Sequence, residues 1–131
     1  MTKAATRTVA YSLDPQARVV HLTYTGNPTI GEWTATMLAL FRERQYAPGW
    51  GFLSDRRPVA EPPDKAYMER AVVFVREHQR EMAGACWATV LGGPAVEGMM
   101  RLGQALAADL PIKVGVFTDI GEAREWLARG Y

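Results

Sequence analysis

The sequence predicts a single α/β domain in which an N-terminal β-hairpin joins a mixed, mostly parallel sheet of about five strands, with about four helices. Three observations predict it. Two adjacent runs near the N-terminus alternate apolar and polar residues with the period of two that half-buried strands show. Beyond them, short apolar runs alternate with longer stretches of helical period. No linker or internal repeat divides the 131 residues, so one core spanning residues 1–131 is expected. Strands separated by helices need crossover connections and lie parallel, whereas a hairpin pairs antiparallel.

Each element has its own signal. Thr8 to Leu13 places Val9, Tyr11 and Leu13 on one side, Val19 to Tyr24 does the same with Val20, Leu22 and Tyr24, and Asp14-Pro15-Gln16-Ala17 supplies the turn between them. After Gly26-Asn27-Pro28, Thr29 and Glu32 have the spacing of a capping box, which opens a helix carrying Ile30, Trp33, Met37, Leu40 and Phe41 on one face. That helix is expected to end near Tyr46, ahead of Pro48-Gly49. Trp50 to Ser54 reads as a buried strand, and Pro58, Pro62 and Pro63 forbid regular structure until Asp64. From Asp64 to Met82 a second helix follows the stripe Tyr67, Ala71, Phe74, Val75, His78 and Met82, and Gly84 ends it. Cys86 to Leu91 is a strand, Gly92-Gly93-Pro94 a turn with proline at the first helical position, and Ala95 to Ala108 a third helix. Ile112 to Phe117 alternates as a last strand. Asp119 and Glu122 then repeat the capping-box spacing before a short helix with Ala123, Trp126 and Leu127 inward.

Composition excludes more than it names. With a formal net charge of +1 and 22% charged residues, no global field draws the chain to nucleic acid or an anionic membrane. Aromatics do not interleave with a basic patch, so nucleic acid is not an expected partner. Cys86 is the only cysteine and sits in an apolar run, which forbids an internal disulfide. No apolar stretch is long enough to span a bilayer and the N-terminus lacks a signal-type run, so a soluble, cytoplasmic protein is expected. His21 falls on the strand face opposite Val20 and Leu22, and His78 on a helix stripe; neither has a partner at metal-ligand spacing, so no metal or cofactor is expected.

The order of elements, together with the Asp14-Pro15 turn, the strand ending Leu53-Ser54-Asp55-Arg56-Arg57, Gly92-Gly93-Pro94 leading to Gly98-Met99-Met100-Arg101, and Val116-Phe117-Thr118-Asp119 followed by Glu122-Ala123 and Glu125-Trp126-Leu127, resembles the SpoIIAA-like branch of the STAS superfamily. That branch is related in fold to the CRAL-TRIO lipid-binding domain. The resemblance covers nearly the whole chain and implies a non-enzymatic regulatory or protein-binding module, often switched by phosphorylation in STAS relatives. The switch serine of that pattern follows an aspartate at a helix start. Here no serine or threonine lies between Arg56 and Ala88, and Ser54 precedes its aspartate inside a strand.

If the last three strands are parallel, their carboxyl ends share one rim, where Asp55, Arg56, Arg57, Gly92, Gly93, Arg101 and Asp119 are the weak candidates for a ligand or partner site. Asp55 with two arginines reads either as a base or anion orienter, or as an ion pair that locks the loop before the prolines; the lock is preferred, since no nucleophile or second carboxylate accompanies it. Gly93-Pro94-Ala95-Val96-Glu97-Gly98 has phosphate-loop glycine spacing, but Met99 and Met100 stand where lysine and hydroxyl are needed. Gly98 and Gly103 are expected to allow close packing on the sheet. Val72, Val73, Phe74 and Val75 cover more than one helix face, so some of that surface should meet the hairpin, a second copy in a homodimer, or an acyl chain. The expected function is thus a regulatory or protein-interaction module without catalysis. The alternative is binding of a small anion or lipid at the strand edge.

Overall fold

The hairpin is the starting layer. Strand β2 (Val9–Asp14) turns through Pro15 to Arg18, where Arg18 takes φ 56°, and returns as β3 (Val19–Tyr24) in antiparallel register, Tyr11 opposite Leu22 and Leu13 opposite Val20. A three-residue strand β1 (Thr2–Ala4) adds antiparallel to β2. Strands β4 (Gly51–Arg56), β5 (Cys86–Leu91) and β6 (Lys113–Phe117) then extend the sheet in parallel, giving the order β1-β2-β3-β4-β5-β6. The computed structural model describes residues 2–4, 8–93 and 97–130. The α/β class, the hairpin and the parallel run of the last three strands are as expected, and the sixth strand is the short N-terminal one.

The helices are α1 (Ile30–Phe41), α2 (Lys65–Glu77), α3 (Gln79–Met82), α4 (Glu97–Leu106) and α5 (Ile120–Arg129). Thr29 and Glu32 make both halves of the capping box, Asp64 caps α2 by accepting from the Tyr67 amide, and Asp119 caps α5 by accepting from the Gly121 and Glu122 amides. Two boundaries differ from expectation. The first helix ends at Phe41 rather than near Tyr46, because the Arg42 and Glu43 amides turn back to Ala39 and Leu40 in tight i→i+3 bonds, freeing Tyr46 to donate to the Glu81 carbonyl. The expected single helix from Asp64 to Met82 breaks at His78 (φ −117°, ψ 36°), whose Nδ1 donates to the Phe74 carbonyl at 2.8 Å while its ring stacks on Phe74. The described residues thus hold five helices, the short α3 being split from α2. The proline start of the third helix lies outside the described residues, which begin again at Glu97.

The two faces of the sheet are covered unequally. On one face, Tyr11, Val20, Leu22, Tyr24 and Phe52 form the main core with Trp33, Met37 and Leu40 of α1 and Tyr67, Phe74 and Val75 of α2, and α4 continues that layer over β6. On the other, among the described residues, α5 packs on β4, β5 and β6 through Ala123, Trp126 and Leu127 against Leu53, Ala88 and Val90. In the Val72-Val73-Phe74-Val75 run, Phe74 and Val75 are buried in the main core, Val72 is half-buried beside it and Val73 is exposed, so packing within the domain takes up most of that surface. The helix glycines depart from expectation: a Cβ on Gly98 would meet nothing, and Gly103 faces α2 rather than the sheet, where a Cβ would stand 2.1 Å from Met68 Cε.

Candidate ligand-binding site

Strand β4 sorts the rim residues by its period of two. Phe52, Ser54 and Arg56 point to the face under α1, α2 and α4, while Leu53 and Asp55 point to the face covered by α5. Asp55 and Arg56 therefore diverge. Arg57, just past the strand, turns back to Asp55, donating from Nε to Oδ1 at 2.9 Å, from Nη2 to Oδ2 at 2.7 Å and from its backbone amide to Oδ1 at 3.1 Å. Partial burial pushes the Asp55 carboxyl up, but Arg57, aided by the charge of Arg124, outweighs it and holds the carboxyl below its ordinary value. The cluster that looks contiguous in sequence is a closed ion pair on one side and a separate arginine on the other.

That arginine is the unusual residue. Arg56 is 7% exposed, and no carboxylate pairs with it among the described residues. Its Nη1 donates to Asn27 Oδ1 and its Nη2 to the Tyr67 hydroxyl, both at 3.3 Å, longer than the roughly 2.8 Å of a well-made charged bond. The guanidinium stacks over Tyr24, 4.1 Å from the ring centre, and lies 5.8 Å from Tyr67. Burial works against its charge, while the oxygens of Tyr24 and Tyr67 favour it and keep its pKa raised. Burial likewise drives the Tyr67 phenol far above its ordinary range, with Arg56 pulling the other way, so that hydroxyl is neutral and supplies no counter-charge. Taking a full charge out of water costs several kcal/mol after relaxation, and here it is met by neutral oxygens and ring contacts rather than by a counter-ion.

Arg56 borders a cavity of about 90 Å³ between α2, α4 and the sheet. The strand register orders its walls. Arg56 stands level with Leu91, Ser54 with Thr89, and Phe52 with Trp87 and then Val114, so Arg56 lies toward the carboxyl ends of the strands with Met68 and Met100 beside Leu91. Ala107, Leu110 and Ile112, which leads into the start of β6, complete the apolar lining. The other polar groups are already occupied: Ser54 Oγ donates to the Tyr24 hydroxyl at 3.2 Å, Trp87 Nε1 to Thr89 Oγ1 at 3.1 Å, and Gln104 Nε2 to the Val114 carbonyl at 2.7 Å. Tyr67 also lines an outer groove of about 520 Å³ between the starts of α1 and α2, bounded by Asn27, Pro62 and Arg70.

The remaining rim candidates do not converge on Arg56. Gly92 is needed where it is, since a Cβ there would lie 2.3 Å from the Arg57 carbonyl oxygen, and Gly93 is half-buried with open space beside it. Arg101 is exposed and donates to Gln104 Oε1 at 3.3 Å, and Asp119 serves as the α5 cap. Among the described residues no group of three His, Cys, Asp or Glu gathers to hold a metal ion. Sequence reasoning missed Tyr24, Asn27 and Tyr67, each assigned only to a core stripe or a turn. The available signal was that two of those core positions carry a hydroxyl, which needs a partner when buried.

No family model matches the chain, and searches of curated proteins and of solved structures return no match.

Proposed function

We propose that this domain is a non-enzymatic binding module that holds a small ligand in the cavity between α2, α4 and the sheet. The observation that carries the reading is Arg56, a buried guanidinium beside a cavity with neutral partners only. Ligand pockets have this make-up, mostly apolar with a few convergent polar groups. Absence of catalysis is the reading that suits Ser54, the serine that lines the cavity, whose hydroxyl is committed to Tyr24. The resemblance to SpoIIAA-like STAS domains is compatible with such a module and adds a regulatory role. A screen of small anions and acyl compounds by thermal unfolding, run on the wild type and on Arg56→Met, tests it. A true ligand at a hundredfold excess over its Kd raises the wild-type midpoint by about 10 °C and leaves the variant unmoved. A screen in which nothing shifts the wild type defeats the reading.

A second reading, a protein-interaction module acting as a homodimer, draws on the exposure of Leu38 on α1 and Val73 on α2. Light scattering with Val73→Glu tests it: a wild-type dimer converted to a monomer supports it, and a wild-type monomer overturns it.

A further inference from the structure

We infer that the ligand is a short-chain aliphatic monocarboxylate, its carboxylate on the Arg56 guanidinium and its tail running along the seam between α2 and α4 toward Leu110 and Ile112. The inference rests on the ligand-binding reading above and assigns the chemical class. Four observations select that class. Arg56 is the one cation among the described residues that line the space, which suits a single negative charge rather than a phosphate dianion. A planar guanidinium matches a planar carboxylate with two parallel bonds, and the long 3.3 Å contacts to Asn27 and Tyr67 leave its donors free to exchange weak neutral partners for a charged one.

The walls are mostly apolar around that one cation. Met68, Met100, Ala107, Leu110 and Ile112 line the space beside Arg56, which suits an amphiphile rather than a compact polar ion. Size then limits the tail. A dry cavity of roughly 150 Å³ accepts benzene, so the 90 Å³ here fits an aliphatic tail of about four carbons.

Isothermal titration of the full chain with sodium acetate, butyrate, valerate and decanoate, with pentanol and inorganic phosphate as controls, tests the assignment. Each methylene is expected to tighten Kd about fourfold up to valerate, with no further gain by decanoate. Pentanol, which has the same five carbons without the charge, is expected to bind at least about tenfold more weakly than valerate. Arg56→Met removes the preference for valerate over pentanol, and its retained fold is checked by circular dichroism. Ala107→Leu, which shortens the tail end and leaves Arg56 in place, moves the optimum to butyrate or below. Phosphate or pentanol binding as tightly as valerate overturns the carboxylate class while leaving the ligand-binding reading in place. No heat from any probe, with a folded wild type, overturns both.

Discussion

Arg56 and Arg57 are neighbours in the chain and opposites in physics. Arg57 is about half exposed and closes a bidentate pair with Asp55; Arg56 is buried and leans on two neutral oxygens and two aromatic rings. A charge at the surface needs little from the protein, because water screens it and the pair adds about 1 kcal/mol or less. A charge in the interior has a large desolvation cost that the surrounding groups must offset. The lesson is that two residues of one type, one peptide bond apart, are sorted into a surface fastener and a buried cation by nothing more than strand alternation.

The largest test of the contrast is truncation. Arg56→Ala removes the guanidinium stacked on Tyr24 and strands the Asn27 and Tyr67 oxygens, and is expected to lower unfolding free energy by about 3 kcal/mol in urea titration, whereas Arg57→Ala costs about 1 kcal/mol. Equal losses would erase the distinction. Arg56→Met keeps the volume but strands the same two oxygens, and is expected to cost about 1.5 kcal/mol, the difference from Arg56→Ala separating lost packing from lost hydrogen bonds. Next in size, Tyr67→Phe withdraws one of the two hydrogen-bond acceptors of Arg56 and is expected to cost about 1.5 kcal/mol in the wild type but almost nothing in Arg56→Met, a double-mutant cycle that isolates the coupling.

Smaller effects belong to the other face and show as pH dependence. The folded pKa of Asp55 is lowered, so its contribution is present above the unfolded value near 4 and is lost as pH falls through the folded one. The gap between the wild type and Asp55→Asn, about 0.5 kcal/mol at pH 7, should therefore close in acid. His21 lies on the same side of the sheet and is lowered by burial and then by Arg124, with Asp14 opposing. A histidine that resists protonation when folded gives stability that is full above about pH 6.5 and declines as pH falls below it. Chemical denaturation of His21→Gln between pH 7 and pH 5 should show a shallower decline than the wild type; an unchanged slope would remove His21 from the account.

Much of this was legible in the chain. Apolar alternation located the hairpin, and the Thr29/Glu32 spacing gave the start of α1 to the residue, because a reciprocal cap is a local interaction that tertiary packing seldom overrides. The break at His78 was not legible, since it falls in a stretch without glycine or proline, where the imidazole joins the residue's own amide on the Phe74 carbonyl. Nor was the first strand, three residues whose pairing is decided by the hairpin beside it. For the site, the residue was found and its meaning was not. Ending the strand at Ser54 made Asp55, Arg56 and Arg57 one ionic cluster, whereas extending it to Arg56 puts that side chain in register with Phe52, on the core side. Two residues of strand length separated a surface lock from an interior charge.

Where α2 crosses α4, the roof of the chamber is a methionine thioether resting on the bare backbone of Gly103. An unbranched side chain with three rotatable bonds can swing aside without any helix sliding, on timescales far shorter than local unfolding. On the proposed ligand-binding reading, a guest would meet no slow gate, and its dwell time would be set by the strength of its own hold on the guanidinium.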